Sequence, residues 1–87
     1  MKLFLISQSE NSAWDTFDAA VVAAESEADA RLMQPTFEDT FDTDWAQLAY
    51  GGIGSWATKP ENVTVRYLGE TDEYEAPCVV LASYNAG

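Results

Sequence analysis

The chain has 87 residues with fifteen Asp and Glu against four Lys and Arg, a formal charge of −11. That length suits one domain, 1–87, and is too short for two cores, while 47% hydrophobic and 22% charged residues make a folding composition rather than a disordered one. Such a charge repels nucleic acid and anionic membrane surfaces and favours basic partners; adaptation to high salt is the competing explanation for the same excess of acids.

A lone cysteine, Cys78, allows no intrachain disulfide and gives no sign of an oxidising compartment. The start, Met1-Lys2-Leu3-Phe4-Leu5-Ile6, holds too short an apolar run for a signal-peptide core or a membrane span. A cytoplasmic protein is expected.

In chain order, Leu3 to Gln8 predicts a strand closed by polar turn formers. Phe17 to Ala24 predicts its antiparallel partner across a short connection. Ser26 is a helix N-cap candidate, with Glu27 and Asp29 in a first turn that favours negative charge. The expected helix runs from Ser26 to Gln34, turns Ala28, Leu32 and Met33 to the sheet, and stops at Pro35. Residues 36–62 carry the weakest signals. Trp45 to Tyr50 has the pattern of a further helical turn, Gly51, Gly52 and Gly54 break it, and Lys59-Pro60-Glu61-Asn62 is a turn. Val63 to Leu68 alternates, with Val63, Val65 and Tyr67 on one face. Gly69 to Pro77 is an acidic loop, and Cys78 to Tyr84 is apolar enough for a central strand. The expected class is α+β, a four-stranded, mainly antiparallel sheet with one short helix packed on a face, in the order β-β-α-β-β.

Catalysis finds little support. Without histidine the usual nucleophile–base pairs cannot be assembled, and Cys78 beside Val79 and Val80 is placed as a core thiol. No enzyme and no cofactor are expected. Asp39, Asp42 and Asp44 resemble a calcium loop only loosely. Counting from Asp39, the sixth position is Asp44 instead of glycine and the twelfth is Tyr50 instead of glutamate, so no dedicated metal site is expected. Gly51-Gly52-Ile53-Gly54 lacks the Gly-Lys-Ser/Thr of a phosphate loop, and four scattered bases form no nucleic-acid stripe.

The informative pattern is acids interleaved with aromatics. Between Glu10 and Asp44 there are ten acids and one base, Arg31. Glu38, Asp39, Asp42 and Asp44 run into Trp45, and Glu70, Asp72, Glu73 and Glu75 enclose Tyr74. Carboxylates steer a basic partner and aromatics supply contact area, so these ten residues form the candidate partner-binding face. Phe41 and Trp45 are equally well placed to fold inward as core; Tyr74, in a very polar loop, is expected to be exposed.

Four stretches carry a resemblance: Met1-Lys2-Leu3-Phe4-Leu5-Ile6-Ser7-Gln8, Asp18-Ala19-Ala20-Val21-Val22-Ala23-Ala24-Glu25-Ser26-Glu27, Leu68-Gly69-Glu70, and the tail Val80-Leu81-Ala82-Ser83-Tyr84-Asn85-Ala86-Gly87. Together they resemble a group of small acidic uncharacterised proteins of tailed phages and prophages. The likeness covers both ends and leaves 36–62 largely unmatched. It implies an inhibitory binding protein similar to the anti-CRISPR and anti-restriction proteins that act as nucleic-acid mimics, with a basic, nucleic-acid-binding site on a host defence complex as partner. The rival class is a small homo-oligomeric accessory or structural protein, joined through sheet edges or the Trp45–Trp56 segment.

Overall fold

Strand β1, Lys2–Ser7, alternates as a pleated strand must. Phe4 and Ile6 are buried, while Leu3 and Leu5 on the other face are half-buried. Apolar side chains on both faces suit a strand flanked on both sides. In the computed structural model, which describes residues 1–10, 16–36, 40–45 and 56–85, β1 lies between β2, Thr16–Ala24, and β5, Thr64–Glu70. Strand β6, Cys78–Asn85, pairs with the far side of β2, giving a four-stranded antiparallel sheet of order β5-β1-β2-β6. Two short strands, β3, Gln34–Thr36, and β4, Thr40–Asp42, form a separate antiparallel ribbon. The described order is therefore β-β-α-β-β-β-β. The class and the four-stranded sheet match expectation; the ribbon in the middle of the chain does not appear in the expected order.

Among the described strands, β6 lies at the edge of the sheet, not in its centre. Its apolar composition reports side-chain environment, whereas a central position depends on backbone pairing at both flanks, to which side chains are nearly blind. Along β6, Val79 is buried and Leu81 is 65% exposed.

Helix α1, Glu27–Arg31, starts where the sequence places it. Ser26 Oγ accepts a hydrogen bond from the Asp29 backbone N–H at 3.1 Å, a cap of about 1 kcal/mol. It is shorter than expected, ending at Arg31 with Leu32 as its C-cap. Pro35 disfavours helical geometry at Gln34, and Gln34 already belongs to β3. Helical spacing therefore fails for the inward face: Ala30 and Met33 are buried, while Ala28 and Leu32 are exposed. Arg31 Nη1 donates to the carbonyls of Val63 and Pro60, and its guanidinium pairs with Glu27 at 3.8 Å. These contacts tie α1 to the 3-10 turn Pro60–Asn62 that leads into β5, in place of the simple turn expected there.

The core lies between one face of the sheet and the layer formed by α1, Met33 and Trp56, with Phe4, Ile6, Phe17, Val22 and Val79 contributed by the strands. Phe17 stacks obliquely on Tyr84 with ring centres 4.8 Å apart, and Phe4 meets Tyr67 edge-on at 5.8 Å. Tyr67 is nonetheless exposed, on the outer strand of the sheet. Beyond Tyr67 the register of β5 shifts against β1, leaving Leu68 as the extra residue. Gly69 follows with φ of +153°, a conformation open in practice to glycine alone. This lets β5 continue to Glu70 rather than end at Leu68. The expected helical turn at Trp45–Tyr50 and the glycines 51, 52 and 54 fall largely or wholly outside the described residues.

Among the described residues, no such layer of core residues lies on the second face of the sheet. Across it, the paired rows Arg66–Leu5–Val21–Leu81 and Thr64–Ser7–Ala19–Ser83 contain no carboxylate.

Candidate functional site

The sequence places acids in two groups far apart in the chain, and local structure decides how each is presented. After β5, the connection to β6 leaves Glu70, Asp72, Glu73 and Glu75 exposed. Thr71 N–H donates to the Met1 carbonyl at 3.0 Å, and Thr71 Oγ1 accepts from the Glu73 N–H at 3.2 Å. The backbone is thus tied to the sheet while the carboxylates face water. Glu70 Oε2 accepts from the Tyr67 hydroxyl at 2.5 Å, and this bond, with burial and the charge of Glu70, holds the Tyr67 phenol above its ordinary range. Tyr74 is half-buried instead of exposed. Burial, followed by the Glu73 carboxylate, pushes its hydroxyl up as well.

In the other group, Glu38 and Asp39 lie outside the described residues. Asp42 closes β4 half-buried, its Oδ1 accepting from the Asp44 N–H at 2.8 Å, and Asp44 is exposed. Trp45 is half-buried. Its Nε1 donates to the Leu32 carbonyl at 3.0 Å and its ring packs against the core, as does Phe41. Both aromatics therefore take part in the inward alternative that the sequence left open. Trp56 is 3% exposed, which removes it from any surface for joining copies through the Trp45–Trp56 segment.

Structure joins what sequence kept apart. A groove of about 440 Å³ is lined by Glu25, Asp29, Leu32, Met33, Phe41 and Pro77, with Thr43 between Asp42 and Asp44 at its side. Pro77, which follows the second acidic stretch, lines the same groove as Phe41 and Thr43 of the first. Glu25 and Asp29, which sequence reasoning did not single out as site residues, are the carboxylates that line it. They lie four residues apart on either side of the N-cap Ser26, but Glu25 precedes the helix, so no helical spacing in the sequence marked them as neighbours. Neither carboxylate has a hydrogen bond or ion pair among the described residues. A separate hollow of about 420 Å³ is lined by Glu70, Thr71 and Asp72.

Glu10 stands apart from both groups. Its carboxylate accepts from the Thr58 hydroxyl, from the Thr58 N–H at 3.2 Å and from Asn62 Nδ2 at 2.6 Å. These bonds hold its pKa below the ordinary value of 4.5, with Lys59 adding a smaller lowering.

Cys78 is half-buried at the start of β6. Among the described residues no three His, Cys, Asp or Glu side chains are grouped to hold a metal ion, and no helix is long and apolar enough to cross a membrane. No protein-family model, curated protein or solved structure matches the chain.

Proposed function

We propose that this chain is an inhibitory binding protein without catalytic activity, of the kind phages direct against host defence complexes, and that it presents carboxylates to a basic, nucleic-acid-binding site. The observation that carries this reading is the outward presentation of Glu70, Asp72, Glu73 and Glu75 on a backbone tied to the sheet. Carboxylates held on an anchored backbone compete for a lysine- and arginine-lined groove at lower ordering cost than a free acidic tail. The arrangement puts the acidic partner in the role the phosphate backbone plays in DNA binding, so its complex should weaken steeply with salt.

Capture from bacterial lysate with the tagged protein tests this. The expected result is a nucleic-acid-binding complex that moderate salt releases and that double-stranded DNA displaces. Reversing Asp72, Glu73 and Glu75 to lysine together should remove the capture. Retention of the same complex by the reversed variant, or indifference to DNA, would sink the proposal.

One observation favours a second reading, a homo-oligomer. The paired rows without carboxylates on the second face carry the highly exposed Leu81 beside Leu5 and Val21, and a face free of carboxylates is where two chains of charge −11 can approach each other at least electrostatic cost. Multi-angle light scattering on the purified chain decides this. A dimer that Leu81→Asp converts to monomer supports it, and a monomer at every concentration removes it.

A further inference from the structure

We infer that the groove between α1 and β4 is the seat for an arginine side chain of the partner protein. The inference rests on the acidic-surface reading and names the anchor by which that surface holds its partner. The groove combines two features an arginine needs. Its wall is apolar: Met33 is 2% exposed, Phe41 is half-buried, and Leu32 remains 41% exposed although it sits at the end of a helix that packs inward. Methylene groups of a long cationic side chain cover such a surface while the charged head stays at the rim. The rim supplies Glu25 and Asp29, both unpaired among the described residues.

The chain's own cations are engaged or placed elsewhere. Arg31 is held by the Val63 and Pro60 carbonyls and by Glu27. Lys2 Nζ reaches the backbone carbonyl of Glu25 at 3.4 Å rather than a carboxylate. Arg66 shares a row with Leu5 on the open face of the sheet, and Lys59 lies beside the Glu10 cluster.

Arginine fits better than lysine or a metal ion. A planar guanidinium can engage two carboxylates at once and lie against the Phe41 ring, whereas an ammonium is a compact, strongly hydrated charge. A divalent cation wants six or more oxygens, and this groove offers two carboxylates on an apolar wall. Its volume of about 440 Å³ lies in the range of sites that take small ligands and admits the side chain together with its flanking backbone.

The test uses N-acetyl-arginine-methylamide and its neutral isostere, N-acetyl-citrulline-methylamide, followed by NMR on the Met33 and Leu32 methyl groups and the Trp45 indole N–H. The expected result is saturable shifts at these three probes with arginine and far smaller ones with citrulline. Glu25→Gln and Asp29→Asn, both at exposed positions, should each weaken arginine binding about two- to fivefold, as expected for exposed ion pairs. Equal response to arginine and citrulline, or shifts confined to residues 70–75, would overturn the assignment. The lysate capture separates the two proposals. If the double variant Glu25→Gln/Asp29→Asn captures the DNA-displaceable complex as strongly as the wild type, the groove loses its role and the acidic-surface reading survives. If the groove discriminates arginine but nothing DNA-displaceable is captured, the groove stands as an arginine site and the acidic-surface reading falls.

Discussion

Ile6→Ala is expected to lower the free energy of unfolding by about 2–5 kcal/mol. Ile6 is fully buried on β1, a strand flanked on both sides by β2 and β5. Truncation therefore leaves a cavity whose walls are backbone-paired strands with little room to close. For a domain of this length total stability is expected at roughly 4–13 kcal/mol, so this one change takes a large share of it. Leu81→Ala is the paired control. A side chain of the same apolar class, 65% exposed on edge strand β6, should change stability by no more than about 0.5 kcal/mol. Urea denaturation of the two variants checks both values. Similar losses in the two would mean that the face carrying Leu81 is buried in solution as well as the helix-covered one.

The second expectation is a pH-dependent loss of stability that belongs to Glu10. Its bonds to Thr58 and Asn62 hold the folded-state pKa below 4.5. A depressed carboxyl stabilises the fold above its unfolded pKa, and that contribution disappears as pH falls through the folded value. The rest of the molecule works in the opposite direction, because protonating other exposed carboxylates relieves the self-repulsion of a chain carrying −11. Comparing wild type with Glu10→Gln isolates the effect. The variant should be less stable at pH 7, and the gap should close below the ordinary carboxylate range. Thermal melts from pH 7 to about pH 3 measure it. A gap that stays constant across that range would show that the Glu10 carboxylate is not what links the end of β1 to the approach to β5.

The candidate site was legible only in part, for a definable reason. Charge excess is additive along a chain, so the acidic character of Glu70 to Glu75 needed no structure. Spacing between elements is not additive. Glu25 and Asp29 gained their place when α1 stopped short and β4 returned beside it, placing Phe41 and Pro77 in the same groove. The aromatics divided likewise: Trp45 and Tyr74 have the same sequence surroundings of acids, yet one bonds to Leu32 and packs against the core while the other sits half-buried in the connection between two strands.

By itself the sequence determined the strands at both ends of the chain, the N-cap at Ser26 and the acid excess, because alternation, capping chemistry and charge are local properties. Tertiary structure alone decided that β6 is an edge strand, that Gly69 carries β5 past its register shift, and that β3 and β4 form a ribbon beside α1. Each of these depends on which backbone groups find partners across long sequence separations, and side-chain pattern does not encode that pairing.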